Sequence, residues 1–81
     1  MQFEKEVVYL GMTANKLSDG TPYYSVNFYS VKDNLPVTVN IMGSARDILD
    51  HLASAKFGTA MVATFALRPR EKLYKLALVH V

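Results

Sequence analysis

The chain has 81 residues, a net charge of +2 and 51% hydrophobic residues. This length is sufficient for one domain with a single core and too short for two. The chain contains no cysteine, which excludes disulfides and thiolate metal sites. No apolar run approaches the roughly 20 residues of a membrane helix, and the amino terminus lacks the layout of a signal peptide. We therefore expect a single cytoplasmic domain over residues 1–81 that has no membrane partner.

The charged residues are unevenly distributed along the chain. Residues 1–52 contain four basic and six acidic side chains, a net charge of −2, whereas residues 53–81 contain five basic and one acidic, a net charge of +4. Four of these last five cations lie between Arg68 and Lys75. This density suits a polyanionic partner, but it is also typical of a solvated hairpin.

The first strand is predicted over residues 4–13, where two semi-apolar sets alternate and do not identify the buried face. Gly11 indicates either a bend or bulge within this strand or a glycine near its end. Residues 15–21 (NKLSDGT) have turn chemistry, with Asp19 and Gly20 able to adopt the positive φ angles of a reversal. We therefore predict a hairpin between the first two strands.

The second strand is predicted over residues 22–30, which include four aromatic side chains. Alternation places Tyr24, Val26 and Phe28 on one face, which is the better core. Tyr23 and Tyr29 then lie on the opposite face among hydroxyl and amide groups. They either cover a neighbouring strand or form a stacking platform for bases, which is worth about 1–3 kcal/mol per base.

A turn over residues 31–34 leads to the third strand, residues 35–42, whose valines and isoleucine alternate with polar residues. Residues 44–58 (SARDILDHLASAKFG) form the one predicted helix. Ser44 is its expected amino-terminal cap and Gly58 its left-handed stop. The apolar side chains between them recur at helical spacing, so one side of the helix should pack on the strands.

Two further strands are predicted, over residues 59–67 and 73–81, joined by a polar loop at residues 68–72 (RPREK). Three strands, a helix and two strands are the elements of the five-stranded OB barrel. We therefore predict a mainly β fold, an OB-type barrel with one helix between strands 3 and 4. In that fold the face of strands 2 and 3 and the loops after strands 1 and 4 bind oligonucleotides or oligosaccharides.

The aromatic and basic residues of this chain fall on those elements. We therefore predict binding of single-stranded DNA, with RNA as an open alternative. Rings stack on unpaired bases, while cations neutralise phosphates and release counterions. The candidate nucleic-acid-binding residues are Lys16, Tyr23, Tyr29, Arg68, Arg70, Lys72, Tyr74 and Lys75.

Three segments resemble, in order, motifs of filamentous-phage gene V protein and similar small single-stranded DNA-binding proteins of phages and mobile elements. Residues 20–23 (GTPY) resemble a Gly-x-Pro-Tyr segment, residues 35–41 (LPVTVNI) a Pro-Val-x-Val strand, and residues 72–79 (KLYKLALV) a leucine-rich closing strand. The resemblance implies an OB-fold homodimer that coats single strands during replication without sequence preference. It also implies that Tyr23 contacts DNA.

The chain departs from this family in two respects. Its predicted helix is longer than the corresponding region, and the loop between strands 4 and 5 lacks an aromatic residue. That loop should therefore supply phosphate contacts, with Tyr74 as a substitute for the missing ring. Apolar strand residues such as Val7, Tyr9 and Val79 provide a surface that a homodimer could cover.

Other classes of function fit the sequence less well. It has no glycine-rich phosphate loop and no paired-histidine motif, and no ligand cluster accompanies His51 or His80. We therefore expect no enzyme, no small-molecule substrate, no metal and no cofactor. A protein-interaction or accessory-subunit module on the same barrel is the alternative, because aromatic residues are also favoured at protein interfaces.

Overall fold

The structure, a computed structural model, describes the backbone of residues 1–70 and 73–81 and the side chains of residues 1–69 and 76–81. Within this part of the chain, five antiparallel strands form one sheet, with a short helix between the third and fourth. The mainly β prediction is confirmed, and β2 and β3 have the predicted bounds. The elements are β1 (Gln2–Lys16), β2 (Pro22–Ser30), β3 (Leu35–Met42), α1 (Arg46–Ala53), β4 (Ala60–Arg70) and β5 (Leu73–His80).

The sheet is curled but not closed. Its strands are ordered β3-β2-β1-β4-β5, so that β1 is central and β3 and β5 are the edges. The two edges approach each other, with Cα atoms within 8 Å, but no ladder joins them in the described residues. The closed barrel predicted from the sequence is therefore not confirmed.

A bulge in β1 lets this long strand pair on both sides. Residues 2–8 pair with β4, and residues 7–16 pair with β2. The register with β2 shifts between Tyr9 and Met12, and Gly11 in that interval has a φ of 100°. Residues with a side chain adopt such a φ only with strain. Of the two interpretations of Gly11, the structure therefore has the bulge within the strand.

The core lies between the inner face of the curled sheet and α1. At its centre the Phe28 ring contacts those of Tyr9 and Phe65, with centroids 6.1 and 6.0 Å apart. Tyr24 packs against this core and Val26 is within it, as predicted. Val7 and Tyr9 are also buried, so these two residues do not provide the exposed dimer surface that the sequence suggested.

The helix is shorter at both ends than predicted. Ala45 occupies the N-cap position, and no side-chain hydrogen bond caps the first turn, so Ser44 is not the cap. At the other end the Ser54 hydroxyl donates to the carbonyl of His51 at 2.9 Å. The apolar stripe is confirmed because Leu49 and Leu52 are buried. No helix within the described residues is long and apolar enough to cross a membrane.

β4 extends beyond its predicted end. Residues 68–70, predicted as part of a loop, pair with residues 73–75 of β5. We call these two segments the β4–β5 arm. The ladder between β1 and β4 ends at Ala66, and the N–H of Leu67 still donates to the carbonyl of Met1 at 3.0 Å. The backbone nitrogen of Pro69, two residues further, faces the same side as that of Leu67. No β1 residue pairs with Pro69 there, so the N–H that proline lacks would have had no strand partner.

The β2–β3 turn, residues 31–34, is connected to β1 by an ion pair. Lys5 Nζ contacts the Asp33 carboxylate, and the hydroxyl of the buried Ser30 donates to the same group at 3.2 Å. The Lys5 ammonium, and after it the Ser30 hydroxyl, hold the pKa of Asp33 below its usual value. The predicted turn is confirmed, with Asn34 at a φ of 55°.

Replacing Gly11 by alanine should lower the free energy of unfolding by about 1 kcal/mol or more. The cause is the backbone conformation alone, because an added Cβ would meet no atom within 4 Å. Urea denaturation measures the change. Thr13→Ala, at an exposed β1 position nearby, is the control and should change stability by less than about 0.5 kcal/mol. Equal stability of the wild type and Gly11→Ala would contradict the strained φ.

The Asp33→Asn variant should melt at a lower temperature than the wild type at neutral pH, and the difference should vanish in acid. A carboxyl whose pKa is lowered by folding stabilises the protein above its unfolded pKa, here 3.8. That contribution is lost as the pH falls through the lower folded value. Thermal unfolding from neutral pH down to about pH 2 tests this. Glu6→Gln, at an exposed β1 carboxyl, is the control. A difference between Asp33→Asn and the wild type that persists in acid would contradict the ion pair.

Candidate nucleic-acid interface

The outer face of β2 carries a tyrosine near each end. Tyr23 and Tyr29 are both partly exposed, and neither belongs to the core, whereas Val26 and Phe28 on the inner face are buried. The predicted division of β2 into two faces is therefore confirmed. Ser25 lies between the two tyrosines on the same outer face, together with Asn27.

Hydrogen-bonded amide and hydroxyl groups cross three strands between the two rings. Asn15 Nδ2 donates to Ser25 Oγ at 3.2 Å, and Ser25 Oγ donates to Asn40 Oδ1 at 3.0 Å. Thr38 Oγ1 donates to Asn27 Oδ1 at 3.0 Å. We call this surface, with its two tyrosines, the tyrosine face. Its middle is polar but uncharged, and Asn27 and Asn40, which accept through oxygen, keep their NH₂ groups as donors for a ligand.

The two rings are held in different surroundings. Tyr23 pairs with Asn15 and Met42 on the neighbouring strands. The Tyr29 hydroxyl donates to Asn34 Oδ1 in the following turn, which orients this ring. Because six residues separate the two positions, their Cα atoms are about 20 Å apart at about 3.3 Å per residue. The rings can therefore contact two separate bases of one strand.

Lys16 is a predicted cation on the strand next to Tyr23, although alternation directs it to the opposite face, because Asn15 and not Lys16 pairs with Tyr23. It is the exposed last residue of β1, rather than a loop residue, and it pairs with Pro22 beside Tyr23. The hairpin that follows has the predicted positive φ at Gly20, 89°, but not at Asp19. Asp19 accepts a hydrogen bond from the N–H of Thr21 at 2.9 Å, and contacts with the Thr21 side chain and backbone lower its pKa.

The remaining predicted cations belong to the β4–β5 arm and its connection. Arg68 is exposed and pairs with Lys75. Arg70, Tyr74 and Lys75 lie on the strands of the arm, but their side chains are outside the described part of the chain. Lys72 lies outside the described residues.

The strand ladders do not place the arm beside the tyrosine face. The arm continues β4 past the residues that pair with Gln2 of β1, whereas Tyr29 pairs with Val8. Glu4 and Glu6 are exposed on the β1 segment between these two levels. Alternation puts both carboxylates on the same face of β1 as Val8. They make this stretch of the sheet unfavourable for a polyanion.

A cleft of about 390 Å³ lies elsewhere, between the start of α1 and the end of β5. His51 and His80, far apart in the sequence, both line it, together with Arg46 and Asp47. The Arg46 guanidinium contacts the Asp50 carboxylate at 3.2 Å. No group of three His, Cys, Asp or Glu side chains in the described part of the chain could hold a metal ion. The cleft therefore brings the two histidines together without forming a metal site.

Sequence reasoning missed one exposed aromatic residue, Phe57, whose side chain is 77% exposed. The predicted helix, residues 44–58, included this position, whereas α1 ends at Ala53. Gly58, the neighbour of Phe57, has the predicted left-handed conformation, with a φ of 87°, but it does not end the helix and donates its N–H to the carbonyl of Tyr9 at 2.7 Å. This hydrogen bond attaches the α1–β4 connection to β1.

No family model, curated protein or solved structure matches this chain. A functional conclusion therefore depends on the chemistry of its surfaces. Among these, the tyrosine face combines partly exposed rings with uncharged hydrogen-bonding groups.

Proposed function

We propose that this protein binds single-stranded DNA through the tyrosine face without sequence preference. The observation that carries the proposal is the position of Tyr23 and Tyr29, both partly exposed at the two ends of a hydrogen-bonded polar row. Every base has a π face, so exposed rings can stack on unpaired bases of any sequence. Amide donors between the rings can bond to base edges or phosphates.

The strand neighbours support an OB-type architecture. The pairs β1–β2, β2–β3, β1–β4 and β4–β5 are present, and the helix lies between β3 and β4. A ladder between β3 and β5 would complete the barrel. In that fold the surface of strands 2 and 3 is the binding face, and those strands carry most of the tyrosine face.

Phosphate contacts are proposed for two separate places. Lys16 ends β1 one residue beyond Asn15, the partner of Tyr23, and Arg68 is exposed on the β4–β5 arm. Arg70, Lys72, Tyr74 and Lys75 remain proposed contacts of the arm. Because Glu4 and Glu6 lie between the arm and Tyr29, the arm would engage a more distant part of the strand. The two sites would be joined by the ligand rather than by one continuous basic groove.

A protein-interaction function is the second candidate, and the open edges of the sheet favour it. Unpaired edge strands can accept a strand from another chain. Leu35 and Met42, at the two ends of β3, are exposed large apolar residues. Because Val7 and Tyr9 are buried in the core, the proposed homodimer would form along the β3 edge instead.

Replacing either tyrosine of the tyrosine face by alanine should weaken binding of a labelled oligo-dT by about 1–3 kcal/mol. Fluorescence anisotropy measures the affinity, with circular dichroism as the check on folding. Tyr23→Phe is the matched control: it retains the ring and should keep most of the affinity. Duplex DNA should bind more weakly, because its bases are already stacked on one another. Unchanged affinity in both Tyr23→Ala and Tyr29→Ala would contradict the proposal and favour the protein-interaction alternative.

Affinity for oligo-dT should fall steeply as the salt concentration rises, because phosphate contacts release counterions. Removing one phosphate contact from a single-strand complex should reduce the log–log salt slope by about 0.7. Arg68→Ala should show this change. Arg46→Ala removes the same charge from an exposed position on α1 and should leave the slope unaltered. Binding that barely changes with salt would exclude the phosphate contacts.

A further inference from the structure

Phe57 is an exposed ring on a fixed backbone. It is the most exposed aromatic side chain that the structure describes, at 77%. The N–H and the hydroxyl of Thr59 both donate to the carbonyl of Lys56, at 3.0 and 2.6 Å. The N–H of Gly58 donates to Tyr9, and the N–H of Tyr9 donates to Thr59 at 2.9 Å. These hydrogen bonds fix the backbone on both sides of Phe57, whose apolar ring is exposed to solvent.

The strand ladders place the backbone of this connection level with the Tyr29 end of the tyrosine face. Tyr9, to which residues 58 and 59 are bonded, pairs on its other side with Phe28, the residue before Tyr29. Two strand spacings, about 10 Å, therefore separate the backbone at Gly58 from that of β2. Phe57 lies across β1 from the Tyr29 end of the tyrosine face.

The row of residues between Tyr29 and this connection carries no charge, and the nearest carboxylate on this face of β1 is that of Glu6, two residues from Val8. Val8 of β1 pairs with Tyr29 on one side and with Ala60 of β4 on the other. This row contrasts with Glu4 and Glu6 further along β1. A nucleic-acid strand that runs from Tyr29 across Val8 to Ala60 therefore passes no carboxylate within this row.

Cations lie at both ends of this path. Lys56 precedes Phe57 directly, and Lys32 is in the turn that follows β2. Both are exposed. The carboxylate nearest to Lys32 in sequence, Asp33, is already paired with Lys5. A single strand crossing β1 at this level would therefore find a lysine close to each aromatic end.

We propose that Phe57 is a third stacking residue, which takes an unpaired base of the strand bound at Tyr29, with Lys56 contacting the adjacent phosphate. This inference rests on the proposed single-strand binding and extends the binding surface from β2 across β1 to the α1–β4 connection. The order of the rings along the strand is then Tyr23, Tyr29 and Phe57. Because hydrogen bonds already fix the backbone around Phe57, stacking on its ring needs little further loss of backbone freedom.

A tryptophan at position 57 tests this directly, because the chain contains no tryptophan of its own. In Phe57→Trp, oligo-dT should quench the fluorescence, and quenching should saturate at the same concentration as anisotropy. Val62→Trp is the matched control, since Val62 is 53% exposed on β4 and pairs with Glu6. Its fluorescence should change little. Phe57→Ala should weaken oligo-dT binding about tenfold.

The outcomes separate this inference from the proposed function. Wild-type affinity in Phe57→Ala, without quenching in Phe57→Trp, would overturn the role of Phe57 while leaving binding through the tyrosines intact. Failure of the wild-type protein to bind oligo-dT would overturn the proposed function itself. If Phe57→Ala instead changes the sedimentation coefficient and not the oligo-dT affinity, the ring contacts a second copy of the chain, and the stacking role is wrong.

Discussion

The pairing of β1 with both of its neighbours depends on the bend in this strand. A straight strand of 15 residues could not follow β4 over its first half and β2 over its second while the sheet curls around one core. The bulge around Gly11 changes the register between Tyr9 and Met12 and lets the strand turn. Bulges increase the local twist of a sheet, and that twist brings the two edge strands towards each other. The ladder between β4 and β5 has a further register shift, between Thr64 and Phe65, so the curled sheet contains more than one such irregularity.

The curl also explains why β2 can carry rings on both faces. Phe28 on the inner face contacts aromatic rings from β1 and β4, so this face is fully used by the core. Tyr23 and Tyr29 are excluded from it by alternation alone. The outer face nevertheless remains ordered, because Ser25 both accepts a hydrogen bond from β1 and donates one to β3. A surface fixed in this way loses little conformational freedom when it binds a ligand.

The sequence alone was sufficient to predict an element where one short local pattern determines it. The bounds of β2 and β3 were predicted correctly because clear alternation is bounded by turn residues on both sides. The buried face of β1 could not be predicted, since both of its faces are semi-apolar and only pairing with β2 and β4 selects Val7 and Tyr9. Residues 68–70 were predicted as part of a polar loop, although Pro69 pairs with Tyr74 in the ladder of β4 and β5. A proline is tolerated there because its nitrogen faces a side on which β1 does not pair, and that depends on where the β1 ladder ends.

The α1–β4 connection shows most clearly how tertiary contacts override a local pattern. Residues 54–58 (SAKFG) were predicted as the end of the helix, with Ala55 on its apolar stripe and Gly58 as its stop. The structure uses these residues differently, because the main chain at Gly58 and Thr59 is bonded to Tyr9. A helix that continued to residue 58 could not also make those bonds to β1. The contact that ends the helix early is therefore the same contact that leaves Phe57 exposed. The position of that ring is linked to the core through Tyr9, which packs against Phe28, so a change in how the core holds β1 would also move the exposed ring.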